Sequence, residues 1–311
     1  MKRFLVFLLA LVIVLFALIG GGSCYLLDYA LKPEPGRAET AGYFQRFAEN
    51  HPEAEVWLDS LRACKSFRDT FVVMPSGERH HAYYVRHSEG APVAIVLHGW
   101  RGCAIDFLHY GSIYHRQLQC NILLPDLHAH GLSEGEDIGM GWKERKDVLH
   151  WMSVAAALFR TKEFIIHGIS MGAATTMNVS GEEMPGFVEK IHFIEDCGYT
   201  SVWDEFRNEL KSKFGLPAFP LMHVASLLCN LRYGWRFGEA SPLLQVAKCR
   251  WPMLLIHGDN DDFVPSWMVH PLYEAKPSPK ELWITKGTTH AASLNDYPEE
   301  YVRRLKNFIK R

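Results

Sequence analysis

Phe164-Ile165-Ile166-His167-Gly168-Ile169-Ser170-Met171-Gly172-Ala173-Ala174 is the stretch that decides the fold. An apolar, isoleucine-rich run ends in Gly-x-Ser-x-Gly, and small residues compatible with a helix follow at once. That order predicts a strand, a very tight turn and a helix, with Ser170 at the apex. Gly168 and Gly172 remove the side chains that would clash across such a turn. The five-residue pattern alone recurs by chance. Its setting makes Ser170 a candidate nucleophile and directs the search to possible partners elsewhere in the chain.

Of the 311 residues, 48% are hydrophobic and 22% charged, which suits one large core with an appendage better than two equal domains. A formal net charge of −2 offers no electrostatic footing for nucleic acid, and none is expected as a partner. The seven cysteines (24, 64, 103, 120, 197, 229 and 249) form no Cys-x-x-Cys pair and no zinc-ligand spacing. Their odd number argues against a complete disulfide framework and leaves one bridge open.

The amino terminus reads as separate from the fold. Met1-Lys2-Arg3 is basic, and Phe4 to Leu27 is a run of 24 uncharged residues, mostly apolar. A spanning helix needs roughly 20 such residues, so residues 1–27 read as a transmembrane signal-anchor. The preceding charges favour a cytoplasmic amino terminus and an extracytoplasmic body. The alternatives are a cleaved signal peptide ending near Gly22-Ser23-Cys24, or lipidation of Cys24. The latter lacks the usual leucine three residues earlier, where Gly21 stands.

Residues 28–64 read as a proline-containing linker followed by one or two amphipathic helices carrying Tyr43, Phe44, Phe47, Trp57, Leu58 and Leu61. Phe67–Met74 and Arg79–His87 flank a turn and predict a hairpin. Short apolar runs then alternate with helical stretches. Strands are expected at Val93–His98, Ile122–Pro125, Phe164–His167, Ile191–Ile194, Met253–His257 and Leu282–Thr285, and helices near 104–118, 143–159, 171–184, 266–275 and 298–310. Residues 201–248 are too many for a simple crossover and predict a helical cap within a domain spanning 65–311.

A serine hydroxyl needs a general base, and the base a carboxylate that orients it. Leu254–Pro265 is a strand ending in an acidic turn with Asp259, Asp261 and Asp262. Lys286–Ala292 is a loop with one histidine, His290. Serine, acid, histidine is the order expected on this kind of sheet.

His98-Gly99, Gly168-x-Ser170-x-Gly172, His257-Gly258-x-x-Asp261-x-x-Val264-Pro265 and His290 together resemble the α/β-hydrolase superfamily. Within it, the chain is similar to exported or membrane-anchored bacterial hydrolases near the serine aminopeptidase and prolyl-oligopeptidase-like groups. The resemblance covers roughly residues 65–311. It implies an α/β fold with a mostly parallel sheet, helices on both faces and a small helical cap. It also implies Ser170 as nucleophile, His290 as general base and then acid, and Asp261 as the orienting carboxylate. The backbone N–H groups of Trp100 and Met171 would form the oxyanion hole. No cofactor and no metal are expected.

Several residues have simpler structural readings. Asp126-Leu127-His128-Ala129-His130-Gly131 suggests a metal but resembles the family's structural loop after the fourth strand. His98, His167 and His257 read as hydrogen-bonding loop shapers. His80 and His81 alternate on a hairpin strand, and Glu144, Arg145 and Asp147 read as ion-pairing residues. Cys197 ends a strand facing the active edge but reads by default as a small core residue. Phe206, Phe214, Phe219, Leu221 and Met222 are candidates for an acyl pocket. No Glu-Glu pair that would hold a peptide amino terminus is identified in the cap, which favours esters. The expected function is therefore ester hydrolysis, with peptidase activity on short peptides as an alternative. A non-catalytic membrane-anchored binding protein is the alternative of another class.

Overall fold

The computed structural model describes residues 2–310. Eight strands form one sheet: β1 (Arg68–Val73), β2 (Arg79–Val85), β3 (Val93–Leu97), β4 (Asn121–Pro125), β5 (Glu163–Ile169), β6 (Lys190–Asp196), β7 (Met253–Gly258) and β8 (Lys280–Thr285). Their order is β1-β2-β4-β3-β5-β6-β7-β8. The β1–β2 and β2–β4 pairs are antiparallel and the other five pairs parallel. β3, β4 and β7 are buried throughout because both faces of the sheet are covered.

Strand alternation sorts two cores. Val93, Ile95 and Leu97 face one layer with Phe164 and Ile166, while Ala94 and Val96 face the other with Ile165 and Ile169. The helices are α1 (Lys2–Leu31), α2 (Thr40–Asn50), α3 (Pro52–Ala63), α4 (Leu108–Gln117), α5 (Glu144–Phe159) and α6 (Met171–Ser180), then α7 (Val202–Phe214), α8 (Leu221–Tyr233), α9 (Pro242–Val246), α10 (Val269–Ala275), α11 (Ser293–Asp296) and α12 (Pro298–Ile309). The second layer takes side chains from α2, α3, α4 and α12. The first takes them from α5 to α10 and from the end of α1. Three helices, α7, α8 and α9, fill most of residues 201–248.

α1 is long and apolar enough to cross a membrane. Its large apolar side chains from Phe4 to Leu18 are mostly exposed, whereas Ser23, Leu27 and Leu31, spaced four apart, are buried against the body. The helix continues through Asp28–Leu31, where a linker is expected from sequence. Its last carbonyls, which have no intrahelical partner, are taken by the body. Tyr29 O accepts from Arg101 Nη2 at 2.8 Å, Ala30 O from Trp100 Nε1 at 2.9 Å and Leu31 O from Ile138 N at 2.7 Å. Ser23 Oγ donates to Leu221 O at 3.0 Å, and Arg232 pairs with Asp28 at 3.0 Å.

His80 and His81 point to opposite faces, as expected, and both are buried because each face of β2 is covered. One local expectation differs from the structure. Glu144 and Asp147 are buried rather than surface ion pairs; Glu144 accepts from Gly139 N at 2.7 Å. Arg145 does pair, with Glu182 at 2.7 Å. All seven cysteines are unpaired.

Candidate active site

Ser170 sits between β5 and α6 with φ +59° and ψ −119°, a strained conformation for a residue with a side chain. Packing enforces the turn. A Cβ on Gly168 would lie 1.9 Å from Gly172 O, and one on Gly172 would lie 2.1 Å from Leu97 O. Ser170 N donates to Asp196 O at 2.9 Å, which ties the apex to β6.

The structure brings the three expected side chains into one line. Ser170 Oγ is 2.9 Å from His290 Nε2, and His290 Nδ1 is 2.7 Å from Asp261 Oδ2. Asp261 is held on its other oxygen, where Oδ1 accepts from Phe263 N at 3.1 Å and Val264 N at 3.0 Å. Burial alone would raise the Asp261 carboxyl, but hydrogen bonds from His257 and His290 prevail and hold it below the ordinary carboxylate range. Asp259 and Asp262 are exposed, and Asp259 Oδ1 accepts from Gly287 N at 2.6 Å, a loop-capping contact.

Gly99 brings the loop after β3 alongside the serine, where a Cβ would lie 3.4 Å from Ser170 Cβ. Met171 is the first residue of α6, where N–H groups have no intrahelical partner. Among the described residues, neither Met171 N nor Trp100 N is engaged by another group. The Trp100 indole faces the cavity beside Ser170 while donating to α1.

Three other histidines shape loops. His98 Nε2 accepts from Leu127 N at 2.9 Å, and its Nδ1 donates to Gly99 O at 2.8 Å. His257 Nε2 donates to Val264 O at 2.9 Å. His130 Nε2 accepts from Arg101 N at 3.1 Å. Asp126 takes N–H groups from Ala104 at 2.8 Å and Leu132 at 3.0 Å, plus His81 Nδ1 at 2.8 Å. A Cβ on Gly131 would lie 2.2 Å from Asp126 Cγ. The Asp126–Gly131 segment is thus a hydrogen-bonded loop.

His167 belongs to a buried chain that sequence reading did not find. Tyr301 Oη donates to Asp196 Oδ2 at 2.8 Å and accepts from His167 Nε2 at 3.0 Å; Tyr114 Oη donates to His167 Nδ1 at 2.9 Å. The residue types carry no signal, since nothing in the sequence distinguishes Tyr114 and Tyr301 from ordinary core aromatics. Two ligand-like triplets lie with their atoms within 4.8 Å of one another: Glu78, His80 and His128, and Cys197, Asp261 and His290. In the second, Asp261 and His290 are already bonded to each other. Burial, aided by Asp196 and Asp261, pushes the Cys197 thiol well above its ordinary range, so it stays protonated.

A mostly apolar cavity opens at Ser170. Its walls include Leu26, Leu27, Tyr29 and Ala30 of α1, and Phe206 and Leu210 of α7. Of the expected acyl-pocket residues, Phe206, Phe214 and Met222 line it. Phe219 is exposed, and Leu221 packs against Gly22 of α1. Glu205 and Glu209, one turn apart on α7, also line it, which corrects the expectation of no glutamate pair in the cap. Glu209 is tied to Lys213 at 2.5 Å. Glu205 is buried with Oε2 unpartnered; burial first, then the charges of Glu209 and Asp261, raise its carboxyl well above the ordinary range. The Glu-x-x-x-Glu spacing was the readable signal for this pair.

A mixed, mostly parallel sheet with helices on both faces and a Ser–His–Asp line at the carboxyl ends of its strands defines the α/β-hydrolase fold, and the chain has that fold. No protein-family model matches it. It is similar to the uncharacterized protein YqkD of Bacillus subtilis, 29% identical over 81% of this chain and 82% of that one. Among solved structures it is similar to the Pyrococcus furiosus esterase Pf2001, with TM-score 0.62 and 23% identity, covering 79% of this chain and 92% of that one. It is also similar to a puromycin-hydrolyzing peptidase of Mycobacterium tuberculosis, with TM-score 0.60 and 18% identity, covering 78% of this chain and 38% of that one.

Proposed function

We propose that the protein is a serine hydrolase that cleaves carboxylic esters by acyl transfer, anchored by α1 with its body on the extracytoplasmic side. The observation that carries this reading is the continuous hydrogen-bonded line from Ser170 through His290 to Asp261, opening onto an apolar cavity. Ser170 Oγ attacks the ester carbonyl carbon as its proton passes to His290 Nε2. The developing oxyanion is met by the N–H groups of Met171 and Trp100. The C–O bond to the alcohol then breaks, and the leaving oxygen takes the proton from His290. Water, deprotonated by His290, attacks the acyl-enzyme and releases the acid, returning the proton to Ser170. Asp261 fixes the His290 tautomer and offsets the charge of the imidazolium.

The Glu205–Glu209 pair supports a second reading, amide hydrolysis with the carboxylates receiving a substrate amine. Two features favour esters instead. Glu209 already has Lys213 as counter-ion, and burial, then the charges of Glu209 and Asp261, disfavour the charged form of Glu205. A non-catalytic binding role is the reading of another class. A fluorophosphonate probe tests the proposal: the wild type should be labelled and Ser170→Ala should not. An unlabelled but folded wild type refutes the nucleophile.

A further inference from the structure

We propose that the cavity takes the long acyl chain of a membrane lipid ester directly from the bilayer, with the last turns of α1 as one of its walls. This inference rests on the serine-hydrolase reading.

The anchor is built into the site. Leu26, Leu27, Tyr29 and Ala30 line the same cavity as Ser170, and their helix is held through its carbonyls by Trp100, Arg101 and Ile138. Edge-to-face packing of Tyr29 on Phe214, with centroids 5.9 Å apart, closes the helix onto α7.

Helix length sets the depth of the cavity. At 1.5 Å per residue, Phe4 to Gly22 spans about 28 Å, which matches the roughly 30 Å hydrocarbon core. For a helix along the bilayer normal, Leu26 then lies about 6 Å and Ala30 about 12 Å beyond Gly22. The headgroup layer on each side is about 5–8 Å deep. The α1 wall therefore begins inside that layer. The cap is apolar at the same level. Leu221 rests on Gly22 and Ser23, and Leu216, Phe219, Leu227 and Leu231 around it are exposed. Such a patch next to a spanning helix suits the lipid interface better than water. Apart from Glu205, Glu209 and Ser170 itself, the side chains lining the cavity are apolar or aromatic, which suits an acyl chain. The products are a fatty acid and the alcohol portion of the lipid, with one water consumed.

The test uses the full-length protein in phosphatidylcholine vesicles with 4-methylumbelliferyl palmitate as probe and the soluble butyrate ester as reference. At constant total palmitate ester, a tenfold dilution with phosphatidylcholine should lower its hydrolysis about tenfold, because the enzyme reads mole fraction in the bilayer. Ala30→Phe, which fills the cavity while keeping its backbone carbonyl for Trp100, should lower the palmitate-to-butyrate rate ratio at least fivefold. If that variant is not labelled by fluorophosphonate, Leu26→Trp provides the same comparison. A palmitate rate unaffected by dilution, or an unchanged ratio in a labelled variant, overturns the bilayer route while labelling upholds the nucleophile. Loss of labelling in the wild type overturns the serine-hydrolase reading itself.

Discussion

Asp261→Asn is the substitution whose effect follows most directly from the geometry. Oδ1 of Asp261 is fixed as an acceptor by the N–H groups of Phe263 and Val264, at 3.1 and 3.0 Å. In the asparagine variant that position must remain oxygen, because an amide NH₂ there would face two donors. The NH₂ then takes the place of Oδ2, 2.7 Å from His290 Nδ1. An N–H pointing at Nδ1 makes that nitrogen an acceptor and moves the imidazole proton to Nε2, which faces Ser170. The base thereby loses the lone pair that should receive the serine proton. A wrong tautomer in this arrangement costs about 10⁴-fold in kcat. The fold should be kept, since the two backbone contacts to Oδ1 survive. The assay is ester turnover with a thermal melt as control. A variant keeping more than a tenth of wild-type kcat refutes the assignment of Asp261. So does a larger loss in Asp259→Asn, which should stay within about threefold because Asp259 only caps the Gly287 loop.

Other expectations are independent of that one. Gly172→Ala should fail to give soluble, probe-reactive protein, because its Cβ would lie 2.1 Å from Leu97 O; Gly42→Ala, with nothing within 4 Å, should express normally. Glu205→Leu should raise Tm by a few degrees, since a buried carboxyl with one oxygen unpartnered costs about 1–3 kcal/mol; an unchanged or lower Tm in a melt denies that cost. Thermal stability should fall between pH 6.5 and 8. Burial raises Glu144 to about 7, and Asp147 and Glu195 to about 8. The folded chain keeps these protons while the unfolded chain has lost them, so stability declines as pH rises to the folded values. His109 and His167, held by burial near 3, act oppositely only below 6.5. A melt series flat or rising over this window contradicts the assignment, and Asp147→Asn should reduce the slope.

Much of this architecture could be read from the chain because the signals are local. An isoleucine-rich run followed by Gly-x-Ser-x-Gly admits few backbones, and the predicted strands match the observed ones within a few residues. The resemblance singled out Asp261 among three aspartates, and the structure puts that carboxylate, not Asp259 or Asp262, against His290. What escaped sequence reading depends on which surface a residue meets. Composition does not separate an exposed leucine from one packed on protein, so the docking of Leu27 and Leu31 was invisible. Glu144 and Asp147 read as ion-pairing residues at a helix start, yet both are buried, Glu144 by the preceding loop at Gly139. Tyr114, His167 and Tyr301 are far apart in sequence and meet only through the sheet and α12. Alternation along β2 correctly separated His80 from His81, but it could not reveal that both faces are covered.

The spacing of the site along the chain also sets a timetable for biosynthesis. Ser170 and His290 are 120 residues apart, and Tyr301, which closes the buried polar chain, follows later still. At about 5–20 residues per second, some 6–24 seconds separate the emergence of Ser170 from that of His290. Throughout that interval the first helix has already left the ribosome, while β8 and α12 are still missing and the cores they complete stay open. On the proposed mechanism, a product truncated before His290 carries the serine without a base and should not be labelled by a fluorophosphonate.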